Sequence, residues 1–289
     1  LKTISSDDAT AEVTSTGSMT AFGTDGFSLG DGGSDNDING VSGTTYVAWG
    51  WAAGNSAGSS NSDGSITSTV TANTTAGFSI VKYTGTKSNA TIGHGLGVVP
   101  KMIMIKDTTN AESWIVYHEG VGNDGNLYLN LTNAKATQAV FQDTTPTSSV
   151  FSIGTTDGVN KASAVHVAYC FAEVEGYSSF GGYTGNGSTD GAFVYTGFSP
   201  SFIMYKVTST TDSWEMYDTQ RRTINPYGTQ LKANLSNAET DDTRIDILSN
   251  GFKARSTNTA VNASGATYIY MAFAENPFGG DGAAPATAR

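Results

Sequence analysis

Asp35-Asn36-Asp37-Ile38-Asn39-Gly40 sets oxygen-bearing side chains at alternate positions ahead of a glycine, the spacing with which a calcium loop wraps a hard cation. Asp35, Asp37 and Asn39 are the candidate ligands. The twelfth position is Tyr46, where the full motif needs a bidentate Glu, so a calcium site is weighed against the plainer reading of a solvated acidic turn. No heat on titration with millimolar calcium would retire it.

Trp114 with Tyr117, and Trp214 with Tyr217, recur at one spacing and could stack on sugar faces. The competing reading is core packing, because large aromatics are mostly buried and a three-residue step puts Trp and Tyr on opposite faces of a strand. Arg221-Arg222 is the basic pair that could clamp an anionic glycan or a neighbouring carboxylate, against the plainer reading of a loop salt bridge. His94, His118 and His166 show no metal-ligand spacing with one another or with Cys170, which reads as a buried, inert thiol. Glu173 and Glu275 follow equivalent strands, so they do not make the acid pair of a glycosidase. No nucleophile elbow, phosphate loop or dinucleotide fingerprint is present, so no catalytic residues and no organic cofactor are expected.

The chain that must position these residues has 289 residues, 35 of them Gly and only 9 Leu, with 15 Lys+Arg against 26 Asp+Glu. Long Ser/Thr/Asn/Gly stretches are poor helix formers, so the fold is expected to be all-β. A net charge of −11 with no basic cluster argues against nucleic acid. No apolar run reaches the ~20 residues that span a bilayer, so membrane insertion is not expected.

Self-similarity organises the chain. Tyr83-Thr84-Gly85 recurs as Tyr183-Thr184-Gly185, Ser113-Trp114 as Ser213-Trp214, Asn130-Leu131-Thr132-Asn133-Ala134 as Asn234-Leu235-Ser236-Asn237-Ala238, and Val167 to Glu173 as Ile269 to Glu275. Before these, Asp25-Gly26-Phe27 and Thr45-Tyr46-Val47-Ala48-Trp49 match Asn250-Gly251-Phe252 and Thr267 to Met271. The expected organisation is therefore the second half of a unit (1–53), a Gly/Ser/Thr-rich linker (54–75), two full units (76–176 and 177–278) and a tail (279–289). The missing half-unit is expected upstream in the intact gene product. Strands with Asn-Gly and Asp-Gly turns in units near 100 residues predict tandem antiparallel β-sandwich domains, jelly-roll-like, or one larger fused jelly-roll.

Gly77-Phe78-Ser79-Ile80-Val81-Lys82-Tyr83-Thr84-Gly85, Gly93-His94-Gly95-Leu96-Gly97, Ser249-Asn250-Gly251-Phe252-Lys253 and Tyr268 through Phe278 resemble a repeat domain of virion proteins in marine tailed phages. The resemblance implies a non-enzymatic virion component, a tail fibre or receptor-binding protein acting through loops on an extended rod. It implies a homo-oligomer in contact with other virion proteins and with a host surface glycan or outer-membrane protein. Capsid decoration or a head fibre is the structural alternative. A glycan-degrading spike is the enzymatic one.

Overall fold

The computed structural model of the chain describes all residues except 16–17, 24–25, 31–37, 40–42, 55–56 and 275–289. In the N-terminal half-unit, β1 (Lys2–Thr3) pairs with β2 (Val13–Thr14), and β3 (Met19–Phe22) with β4 (Phe27–Leu29). Residues 54–75, expected as a linker, instead carry β5 (Ser59–Asn61) and β6 (Ser68–Asn73). The first full unit follows with β7 (Phe78–Thr84), β8 (Ala90–Gly93), β9 (Met102–Asp107), β10 (Ile115–His118), β11 (Leu127–Tyr128), β12 (Val150–Ile153), α1 (Asp157–Asn160) and β13 (Val165–Phe171). The second has β14 (Ser178–Thr184), β15 (Phe193–Tyr195), β16 (Pro200–Val207), β17 (Glu215–Asp218), β18 (Tyr227–Lys232), β19 (Thr240–Leu248), β20 (Gly251–Ala254), α2 (Thr259–Asn262) and β21 (Thr267–Ala274).

The architecture is all-β, antiparallel and layered. In the first unit the sheet runs β11-β10-β9-β13-β7-β6-β5, with the β12-β8 pair over it; in the second the same order, β18-β17-β16-β21-β14, recurs inside an eight-stranded sheet that continues through β19 and β20 to β15. Recurrence extends to single bonds. Tyr83 Oη donates to the carbonyl of Val159 (2.7 Å), and Tyr183 Oη to that of Val261 (2.9 Å). Asn130 Oδ1 accepts the Trp114 N–H, as Asn234 Oδ1 accepts that of Trp214. Gly closes both Tyr-Thr-Gly turns because a Cβ on Gly85 would sit 2.2 Å from the Lys161 carbonyl oxygen, and one on Gly185 2.3 Å from that of Ala263.

The central strands are apolar on both faces, the pattern of strands covered from two sides. On β9, Ile103 and Ile105 enter the first unit's own core, while Met102 and Met104 point the other way. On β16, Ile203 and Tyr205 enter the second unit's core, while Phe202 and Met204 point out of it. The outward sets meet. Phe78, Met102, Trp114, Phe171, Phe202, Trp214, Met271 and Phe273 share one cluster, joined by half-buried Trp49 and Trp51. The two sandwiches are thus neither independent nor strung end to end as an extended rod; their larger sheets pack through their outer faces.

That shared cluster has an internal order. Trp51, Phe171 and Phe273 occupy the same place in the three copies of the closing segment. Their rings meet pairwise at centroid distances of 6.2 Å (Trp51–Phe171), 5.4 Å (Trp51–Phe273) and 6.1 Å (Phe171–Phe273). The half-unit and the two full units therefore surround a pseudo-threefold axis. The seams repeat around it: Trp114 Nε1 donates to the Ser5 carbonyl and Trp214 Nε1 to the Tyr128 carbonyl, both at 2.8 Å. Likewise Glu12 N–H donates to the Thr108 carbonyl (3.1 Å), and Lys135 N–H to the Thr208 carbonyl (2.8 Å).

Residues 45–49 match the β21 residues 267–271 in sequence but form no strand; 44–54 run without a ladder and deliver Trp49 and Trp51 to the axis. In the full units this segment is the central strand, held between β7 and β9 or between β14 and β16.

The Trp214 indole bond predicts a specific cost. Trp214→Phe keeps most of the ring but strands the Tyr128 carbonyl, and urea denaturation is expected to record a loss of about 1–2 kcal/mol. Trp214→Ala should lose about 3–5 kcal/mol. An unchanged midpoint in the Phe variant would mean that the bond does not hold the seam.

Candidate functional site

The aromatic pairs proposed for sugar stacking are all buried. Trp114 and Trp214 lie in the shared cluster, Tyr117 and Tyr217 in the separate cores of their units, on the opposite faces that the three-residue step requires. They are packing residues and not the sugar-stacking residues that their spacing suggested, since a ring needs an open face to stack on a ligand. Arg221 and Arg222 are committed within the chain. Arg221 Nε is 2.6 Å from Asp218 Oδ2 and its Nη1 2.9 Å from Glu239, while its guanidinium lies 5.9 Å over the Trp49 ring. Arg222 reaches Asp241 at 3.0 Å. The anion-clamp reading gives way to ion pairs inside the second unit, and the Arg221 contact with the Trp49 ring ties that unit to the half-unit.

Of the candidate calcium ligands, Asp35 and Asp37 lie outside the described residues, as do the tail and Glu275. The Asn39 side-chain amide donates to the Gly30 carbonyl, as that of Asn160 donates to Gly154. Asn39 thus does the structural work of its counterpart in the first full unit. Among the described residues no group of three or more His, Cys, Asp or Glu could hold a metal.

His118 is a seam residue. Its Nδ1 accepts the Gly120 N–H at 3.0 Å, which leaves Nε2 to donate to the Tyr270 carbonyl of the other full unit, also at 3.0 Å. Burial pushes its pKa down to about 4. His94 and His166 are lowered by burial as well. Cys170 is buried and its thiol pushed up to about 12, so it carries no thiolate near neutrality.

Two chemical features were not singled out from sequence. The first is a sealed polar cluster in the second unit. Tyr205 Oη donates to Glu215 Oε2 at 2.6 Å and Tyr217 Oη at 3.0 Å, with the Tyr217 hydroxyl also 3.2 Å from Gln230. Burial raises the Glu215 pKa, opposed by the positive charge of Arg244. Glu215 is 1 % exposed, so no substrate reaches it. In the first unit Ile105 and Ile115 hold the equivalent places, which is why only a comparison of the two units reveals the exchange.

The second feature is open. Phe193 and Tyr195, two apart on β15, point outward at 47 % and 61 % exposure while Val194 between them is buried. Two aromatic faces side by side at a sheet edge suit the apolar face of a sugar ring, which the buried tryptophans cannot reach. Their direction follows from Val194, which faces the second unit's core.

A family model matches residues 1–277, under the description "Domain of unknown function (DUF7483)". The chain belongs to this family. No curated protein and no solved structure matches it. The match runs through the half-unit and both full units as one stretch, in keeping with the single cluster that they share.

The three histidines give this family member an acid-sensitive core. An unfolded histidine titrates near 6.5, whereas folded His118 takes up its proton only near 4. The His118 contribution is whole above pH 6.5 and is lost as pH falls from 6.5 to about 4, a loss of roughly 3 kcal/mol. Glu215, whose folded pKa is raised, acts in the opposite sense: its contribution is present below its ordinary carboxylate range and lost as pH rises. Urea denaturation across pH 4–7 should show stability falling toward acid, with a shallower slope in His118→Asn; an unchanged slope would contradict the assignment.

Proposed function

We propose that the chain is a non-catalytic structural component of a phage virion, a tail-fibre or receptor-binding element that contacts a host surface glycan or outer-membrane protein through exposed loops and strand edges. One observation carries the reading: the repeated side chains capable of chemistry spend it inside the molecule. The Trp indoles, Tyr hydroxyls and Asn amides that recur between units close turns and seams. Scaffold chemistry of this kind supports a load-carrying part, with recognition left to features that differ between units, such as Phe193 and Tyr195.

A ring of units about an apolar axis also suits threefold fibres, because one chain already supplies three-sided symmetry. Other virion proteins, and further copies stacked along the axis, are the proposed assembly partners. The sequence resemblance supplies the virion setting, a fold-level analogy. The sealed Glu215 favours a scaffold over a glycan-degrading spike.

Antibody labelling of purified particles is expected to place the protein on the tail; label on the head would move it to capsid decoration, and its absence from particles would overturn the reading. Particles carrying Phe193→Ser/Tyr195→Ser should keep the label and adsorb to host cells at least about tenfold less, the scale of losing buried aromatic contacts at an interface.

A further inference from the structure

The ring has three seams by position but only two are complete. Residues 4–12, 127–135 and 231–239 are the same segment in three copies. Each forms the same narrow hairpin, with Thr3 opposite Val13, Asn126 opposite Ala136 and Gln230 opposite Thr240. Ser6, Leu129 and Ala233, equivalent within it, all line one apolar cavity of about 410 Å³. The first copy receives the Trp114 indole at Ser5, and the second the Trp214 indole at Tyr128. In the third copy the equivalent carbonyl belongs to Lys232, which receives a long 3.4 Å contact from the nearby Leu235 N–H. Residues 235–239 are exposed.

The half-unit shows the matching deficit. Phe27 corresponds to Phe252, which is fully buried beside β15; in the first unit Phe151 is buried beside β8. Phe27 is 45 % exposed, and Phe22 and Leu29 on the same hairpin are 74 % and 40 % exposed. Tyr46 corresponds to Tyr268, which stacks on Tyr183 at 4.7 Å, and to His166, which stacks on Tyr83 at 5.2 Å. Tyr46 is 48 % exposed. In each case the cover in a full unit comes from its first half: the Tyr-Thr-Gly strand and the short strand after it. Among the described residues no such strands accompany the half-unit.

We propose that this face, from Lys232 through Glu239 together with Phe22, Phe27, Leu29 and Tyr46, seats a segment equivalent to the first half of a repeat unit. A tryptophan of that segment donates its indole N–H to the Lys232 carbonyl. Its Tyr-Thr-Gly tyrosine stacks on Tyr46, and its next strand pairs beside Phe27 as β15 pairs beside Phe252. The occupant is specified by two worked examples in the same molecule, the first halves of the two full units. Completing the ring also walls the axial cavity on its third side. The inference is independent of the virion reading and fails or stands without it.

The test extends the 289-residue chain at its N-terminus with a copy of residues 76–123 and follows hydrogen exchange. The amides of residues 235–239 are expected to slow by an order of magnitude or more, toward the rates of 131–135, and Tyr46 should become shielded from solvent. Trp114→Ala made in the added copy alone should reverse the protection at 235–239 while leaving the first seam intact. Unchanged exchange at these amides in the extended chain, whether the added segment folds or not, overturns the proposal. So does protection that appears in the unextended chain with rising concentration, because the occupant would then be a second copy.

Discussion

Everything in the molecule hangs on a sheet face that each unit cannot bury by itself. A two-layer sandwich normally covers one face of each sheet and leaves the other to water. Here the outer faces carry Met102, Met104, Phe202, Met204, Met271 and their neighbours, and exposing them would leave an apolar patch of the kind soluble chains avoid. The units remove it by turning these faces to one another around an axis where Trp51, Phe171 and Phe273 meet. Apolar burial supplies the drive but no register. The indole bonds from Trp114 and Trp214 to backbone carbonyls, and the His118 bond to Tyr270, fix which residue faces which.

The two full units satisfy the same geometry with different chemistry. The first fills its core around Ile105 and Ile115, whereas the second puts Tyr205 and Glu215 there and surrounds the carboxylate with hydroxyls and Arg244. A buried charged group gives little net stability over a well-packed apolar one. The exchange is tolerated because the Glu215 carboxylate accepts from both tyrosine hydroxyls. The exposed pair Phe193 and Tyr195, on the edge strand β15, is a second difference between the units.

Much of this was legible in the chain because repetition converts sequence into position. The recurrence of Tyr-Thr-Gly, Ser-Trp and the Asn-Leu-x-Asn-Ala segment marks equivalent positions in the units before any coordinate is known, and the Gly and Asn-Gly signals point to an all-β fold. Other features needed the third dimension. A strand that is apolar on both faces says that something covers it but not what, so the packing of the two sandwiches could not be read from β9 or β16. Residues 59–73 are Ser- and Thr-rich because β5 and β6 lie at a half-exposed sheet edge, and edge strands have the composition of linkers. Residues 45–49 have a strand's sequence and no ladder, because in the full units that ladder is supplied by the first half of the unit. The Trp-Tyr pairs carried an ambiguity that only burial resolves.

Three copies of one segment meet at a common axis. Solution NMR with labelled aromatic side chains addresses it directly, through nuclear Overhauser contacts among the rings of Trp51, Phe171 and Phe273. All three pairs are predicted to give cross-peaks, consistent with centroid separations of 5.4 to 6.2 Å. A Phe171–Phe273 contact without either Trp51 contact would reduce the ring to a pair of sandwiches, and the absence of all three would contradict the shared axis altogether.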